Sequence, residues 1–200
     1  MVERFDRQAS QWDKLDRRVV NAKNIADVIK KNIELKKDMH LMDFGAGTGL
    51  LSEFLAEEVA KITAVDNSKG MVEEFLRKDF LCKVDAFCMD YIHESFKEKF
   101  DGIVSSMTIH HIDDIQKLFK RFYDDLKSGG FIALADLDRE DGSFHDCNDG
   151  VCHFGFDFEE LENIARKTGF TTLVTKSCGF IKKPHKDFEV KVLIGFRVDN

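Results

Sequence analysis

Between the apolar run Met39 to Phe44 and a helical rhythm of Leu50, Leu51, Phe54 and Leu55 stands the sequence Asp43-Phe44-Gly45-Ala46-Gly47-Thr48-Gly49. The pattern reads as strand, tight turn and helix. Glycines at alternate positions let the chain reverse through positive φ and leave the backbone amides uncovered, so a ligand is expected against the turn rather than a bare loop. Asp66 closes the next apolar run, where a carboxylate can accept both hydroxyl protons of a ribose. A nucleotide-like ligand would satisfy both features. The dinucleotide spacing G-x-G-x-x-G fits poorly, because it requires a glycine or alanine where Leu50 stands, or where Ser52 stands if counted from Gly47. Nicotinamide and sulfonium cofactors both carry the ribose, so Asp66 by itself leaves either open.

The elements that must position these residues alternate. Strands are expected at Met39 to Phe44, Ile62 to Val65, Val84 to Cys88, Gly102 to Ser105 and Phe131 to Ala135, most of them short apolar runs suited to burial on both faces. An amphipathic helix is expected over about 17–34 from Ala22, Ile25, Ala26, Ile29 and Ile33. A short helix carrying Phe5, Ala9, Trp12 and Leu15 precedes it as a candidate lid. Ile115, Leu118, Phe119, Phe122, Tyr123 and Leu126 predict a helix opened by Asp113 and closed by Gly129. A second helix starts at Asp157 with Glu160 at the capping-box position. After it, Thr171 to Ser177 and Val190 to Val198 read as strands, and the segment from Cys178 to Glu189 between them has no helical pattern. They must then be antiparallel neighbours.

The turn at 43–49, the acid of Ala64-Val65-Asp66, Cys88-Met89-Asp90, Ser105-Ser106-Met107 and Leu126-Lys127-Ser128-Gly129-Gly130 together resemble the successive motifs of class I methyltransferases. The resemblance runs from Met39 to Val198. It implies an α/β, Rossmann-like three-layer sandwich with a seven-stranded sheet of order 3-2-1-4-5-7-6 and strand 7 antiparallel. It also implies S-adenosylmethionine as cofactor and S-adenosylhomocysteine as product. Residues 1–38 would add N-terminal helices to a methyltransferase domain at 39–200, in one structural domain. Carried over by position, Asp43 and Gly45, Ala46, Gly47, Thr48 and Gly49 would hold the methionine part, and Asp66 the ribose. Asn67, Met71, Asp90 and Tyr91 would surround the adenine, and Ser106 and Met107 would border the reacting end. The opening Phe5-Asp6-x-x-Ala9-x-x-Trp12-Asp13 resembles the N-terminal segment of small-molecule members, where Trp12 would close over the cofactor or else anchor its helix in the core.

Methyl transfer from a sulfonium needs alignment, exclusion of water and, for a hydroxyl or protonated amine, a base. His110, His111 and Asp136 are the candidates, with packing or helix capping as the alternative for the histidines. From Asp136 to Gly150 six acids stand against Arg139. Such a long segment reads either as a lid whose acidic rim favours a cationic acceptor or as a solvated loop. His145, Cys147, Cys152 and His153 match no usual zinc spacing, and the reaction needs no metal.

Two hundred residues with 43% hydrophobic content and one proline suit a single domain, and a net charge of -7 gives no basic footprint for nucleic acid. Five cysteines without a C-x-x-C pair, no signal-like N-terminus and no membrane-length apolar run point to a cytoplasmic protein. A small-molecule acceptor is expected, and no feature sets its identity or the oligomeric state. Two other readings are a non-catalytic protein that binds S-adenosylmethionine and, less well matched, a nicotinamide-dependent oxidoreductase.

Overall fold

The computed structural model describes residues 2–94 and 96–198. Seven strands form one sheet in the order β3-β2-β1-β4-β5-β7-β6. They are β1 (His40–Phe44), β2 (Lys61–Asp66), β3 (Lys83–Cys88), β4 (Phe100–Ser106), β5 (Leu126–Leu137), β6 (Phe170–Lys182) and β7 (Asp187–Arg197). Strands β1 to β5 pair in parallel, and β7 lies antiparallel between β5 and β6. The expected order and the expected hairpin are both present.

Helices α1 (Val2–Gln8) and α2 (Asp16–Asn32) precede the sheet, joined by a 3-10 turn at Ala9–Lys14. Helices α3 (Leu50–Leu55), α4 (Lys69–Leu76), α5 (Ile115–Asp125) and α6 (Phe158–Thr168) connect the strands. The sheet separates two apolar cores, as required when both its faces are covered. On one face Ile25, Ala26 and Ile29 of α2 and Leu51 and Leu55 of α3 pack on Leu41, Ile62, Ala133 and Val192. On the other Leu118, Phe119 and Phe122 of α5 and Leu161 and Ala165 of α6 pack on Met42, Ile103, Ile132 and Leu193. Among the described residues no helix is long and apolar enough to cross a membrane.

Several boundaries differ from the sequence reading. The cap of α5 is Asp114, whose carboxylate accepts from the Lys117 amide, rather than Asp113. The helix ends at Asp125, short of Gly129, because buried Leu126 is drawn into the ladder opposite Phe100. Strand β6 extends beyond Ser177 to Lys182, and β7 starts at Asp187, so the hairpin closes over Lys183–Lys186. A register shift between Ser177 and Gly179 breaks the period-two pattern there, which is why the sequence shows no alternation through Cys178. Asp157 does cap α6, accepting from the amides of Glu159 and Glu160. The Glu160 side chain pairs with Arg139.

Candidate active site

The parallel register aligns Phe44 with Val65 and with Ser105, and Ser106 with Ala135. The carboxyl ends of β1, β2, β4 and β5 therefore meet at one edge, where open α/β sheets bind ligands. A cavity of about 320 Å³ opens there, within the range of small-molecule sites. Every cofactor-site candidate except Gly49 lines it, as do His110 and His111.

The glycine turn wraps the end of β1. Gly45, Gly47 and Gly49 have φ of 66, 55 and 85°. A Cβ on Gly45 would stand 2.1 Å from the Thr108 methyl, whereas one on Gly47 would meet only Met71 Sδ at 3.9 Å. Gly45 is thus required by packing, and Gly47 keeps the cavity side of the turn open. Buried Gly49 does not face the cavity; its Cβ would run into Phe75. The turn is tied to β2 by the Gly45 and Ala46 amides, which donate to the Val65 carbonyl, and by the Gly47 amide, which donates to Asp66 Oδ2 at 2.8 Å. Asp66 Oδ1 accepts from the Ser68 amide, so the carboxylate is fixed in place with lone pairs still to offer. Burial raises its pKa against these stabilising bonds.

Asp43 is 1% exposed. Its Oδ2 accepts from the Ser52 hydroxyl at 2.6 Å, while Oδ1 is buried with no partner. Burial, first among the causes, pushes this carboxyl up to about 7. Around the far end of the cavity, Asn67 is exposed, Met71 is buried, and Asp90 is an exposed acid bonded to His93 and to the Ile92 amide. Tyr91 contributes little polarity: it is 2% exposed, its ring packs on Phe44 and Phe122, and its hydroxyl donates to Asp125.

After β4, Met107 adopts a φ of 57°, rare for a side chain of that size and typical of strain held at functional sites. Its amide donates to the Ala135 carbonyl. The 3-10 turn Ile109–His111 that follows brings His110 onto β5. Asp136 is not part of the loop: it lies fully buried in β5, with its Oδ1 2.7 Å from His110 Nδ1 and accepting from the Leu137 amide, and its Oδ2 accepting from the His110 amide. Its other two partners are backbone amides that donate to it, so the carboxylate holds the His110 ring with Nδ1 toward itself and Nε2 turned away. That Nε2 is buried and unpartnered. His111 bonds the Gly150 carbonyl, and burial lowers its pKa to about 4. His145 packs its ring 4.9 Å from that of His110, and burial lowers its pKa to about 4 as well.

The N-terminal segment closes the front. Asp6 accepts from the Ser68 hydroxyl and the Gly70 amide, and Asp13 accepts from the Thr48 hydroxyl and pairs with Lys78 at 2.7 Å. A Cβ on Gly70 would come within 2.9 Å of the Asp6 Cα. Trp12 lines the cavity, half-buried, with its ring 5.7 Å from Phe5 and 3.3 Å beneath the Arg18 guanidinium. Sequence reasoning missed Arg4, Arg17, Arg18, Thr108 and the role of His145 in the cavity wall, since none sits in a local motif. Of the acids in the segment 136–150, Asp146 and Asp149 line the cavity; Asp146 pairs with Lys183, while away from the lining Asp141 pairs with Lys186 and Glu140 accepts from the Ser143 and Phe144 amides. His153 bonds the Ile112 carbonyl while Cys147 and Cys152 are exposed. Among the described residues no three His, Cys, Asp or Glu side chains are arranged to hold a metal ion.

The chain is similar to known methyltransferases. An uncharacterized methyltransferase of Schizosaccharomyces pombe is 34% identical over 125 residues, covering 57% of this chain and 44% of that protein. The malonyl-[acyl-carrier protein] O-methyltransferase of Priestia megaterium is 26% identical over 76% of this chain and 56% of its own length. The chain thus spans about half the length of these curated relatives. Among solved structures, a chain of the Haloferax volcanii complex between the Trm112 methyltransferase activator and a methyltransferase superposes with a TM-score of 0.79 at 17% identity, covering 98% of each chain. Haemonchus contortus phosphoethanolamine N-methyltransferase 2, solved with phosphomonomethylethanolamine and S-adenosylhomocysteine, gives 0.69 at 19% identity over 88% of this chain and 52% of that one. The sequence profile of the methyltransferase domain matches residues 15–175. With that match over a sheet of the expected order and a cavity at its carboxyl edge, the chain belongs to the methyltransferase domain family.

Proposed function

We propose that this domain binds S-adenosylmethionine and transfers its methyl group to a small-molecule acceptor. The observation that carries the reading is the buried, unpartnered Asp43 Oδ1 in a cavity floored by the glycine turn and flanked by Asp66. A buried carboxylate oxygen without a donor is costly, and an ammonium group satisfies it by charge and hydrogen bond together. Asp43 would hold the amino group of the methionine part along the turn Gly45–Gly49, and Asp66 would accept from the ribose hydroxyls. Asn67, Met71, Asp90 and Tyr91 would border the adenine, Ser106 and Met107 the reacting end, and Trp12 the lid over it.

When bound, the cofactor supplies a methyl group on a positively charged sulfur, ready for in-line displacement. The residues of this chain then align the acceptor and keep water out. His110 Nε2, buried and without a partner, would take a proton from the acceptor atom that attacks. Asp136 acts as a positioning residue, holding the Nδ1 proton and the ring direction. With their pKa values lowered, His111 and His145 stay neutral near pH 7 and complete the wall.

The test is incubation of the protein with labelled methyl donor and a fractionated cell extract. Label is expected in a small-molecule fraction and to disappear in His110→Asn. Tight S-adenosylhomocysteine binding with no label transferred to any fraction would instead favour a non-catalytic cofactor-binding protein.

A further inference from the structure

Three arginines line one stretch of the cavity: Arg4 on α1, and Arg17 and Arg18 on α2. Among the described residues none of the three has a carboxylate within ion-pair distance. Arg4 donates to the Cys147 carbonyl, and Arg18 donates to the Trp12 carbonyl while stacking on its ring. The acids nearby are otherwise engaged. Asp13 is bonded to Thr48 and Lys78, and Asp146 pairs with Lys183, itself a lining residue, at 3.4 Å. Asp149 is the remaining acid on that side of the wall.

Resting on the methyl-transfer reading above, we propose that the arginines Arg4, Arg17 and Arg18 form the anchor for an anionic group of the acceptor, a carboxylate or a phosphate monoester. Guanidinium groups bind both oxyanions bidentately and remain charged at any physiological pH. The three stand together without forming an ion pair, although Asp146 is near enough to feel Arg4 and Arg17 and Asp13 to feel Arg18, and they lie on segments outside the motifs that build the proposed cofactor end. Arg18 is half-buried, and burial together with repulsion from Arg17 and Arg4 lowers its pKa to about 10, which an incoming anion would reverse. The anchor adjoins the histidines, since the Phe5 ring next to Arg4 packs 5.6 Å from that of His111. An acceptor held there by its anion presents its other end toward His110. The preference is thus opposite to the cationic one read from the acid-rich segment 136–150.

The test is titration of phosphate, succinate and ethanolamine, at constant ionic strength, into protein saturated with S-adenosylhomocysteine. Phosphate or succinate is expected to bind at least about tenfold more tightly than ethanolamine, and the two anions separate a phosphate from a carboxylate anchor. Arg17→Gln, at an exposed position that folding does not need, and Arg4→Gln should each weaken the anion about fivefold or more while S-adenosylhomocysteine affinity holds. Equal or tighter ethanolamine binding would overturn the proposal, as would anion affinity unchanged in both variants. So would a loss of S-adenosylhomocysteine affinity in their place, which would assign the arginines to the cofactor's own carboxylate. Failure of the wild type to bind S-adenosylhomocysteine at all would instead strike the cofactor reading.

Discussion

The two ends of the cavity are built in different ways, and the difference is clearest in their buried acids. Asp43, at the proposed cofactor end, has one oxygen bonded to Ser52 and the other bare. Asp136, beside the proposed acceptor end, accepts from two backbone amides and faces His110 Nδ1, and there the unpartnered atom is His110 Nε2. In the function proposed above, the first acid meets a ligand directly and the second aims another side chain. Construction differs in the same way. The proposed cofactor end consists of strand ends and the turns that follow them, whereas the proposed acceptor end is assembled from α1, α2, the 3-10 turn after β4 and the long loop after β5.

The largest effect should come from the residue that Asp136 aims. His110→Asn, which keeps a donor toward Asp136, is expected to lower turnover by about 100-fold or more, the usual range for a lost general base, with S-adenosylhomocysteine affinity little changed. Loss of cofactor binding in that variant would erase the division between the two ends. Asp66→Ala works on the other end. It removes charged acceptor bonds and should weaken S-adenosylhomocysteine by about 2 kcal/mol, roughly 30-fold, in calorimetry, with the fold confirmed by melting.

A smaller effect separates the acids by pH. The folded pKa of Asp43 lies at about 7, above its ordinary 3.8. Its neutral form is therefore favoured in the free protein, and its contribution to stability, complete below the unfolded pKa, is lost as pH rises through about 7. Asp43→Asn should stabilise the free protein at pH 8 and have little effect at pH 4, by denaturant titration. Since an ammonium ligand favours the charged carboxylate, S-adenosylhomocysteine affinity should rise up to about tenfold per pH unit below 7 in the wild type and not in the variant. The histidines run the other way: His111 and His145, lowered to about 4, add stability above their unfolded pKa that is lost as pH falls toward 4. The smallest effect lies outside the cavity, where Asp114→Ala should cost about 1 kcal/mol of stability and Asp113→Ala no more than about 0.5.

The same division decides what could be read from sequence. The glycine turn, Asp66 and the strand order are local or follow from the order of elements, and each has a signature within a few residues. The meeting of His110 with Asp136 spans 26 positions, and the link from Arg4 to Cys147 spans 143; no spacing encodes either. The sequence offers Asp136 both as a base candidate beside His110 and His111 and as the first acid of the segment 136–150, since Asp138, Glu140 and Asp141 share its charge, and its burial in β5 separates the two. Boundaries failed for a related reason. Asp113 and Asp114 are equally good caps by residue type, and the choice fell to the chain direction after the 3-10 turn. In β6 the bulge at Ser177 to Gly179 hid a strand that the burial of Cys178 and Ile181 maintains.

In the proposed function, Asp43, the turn at Gly45–Gly49 and Asp66 together form the seat for S-adenosylmethionine. Calorimetric titration of the purified protein with S-adenosylhomocysteine, beside an identical titration with NAD, addresses it directly. The expected result is one saturable site for S-adenosylhomocysteine and no heat with NAD; saturable NAD binding, or no binding of S-adenosylhomocysteine by folded protein, would contradict it.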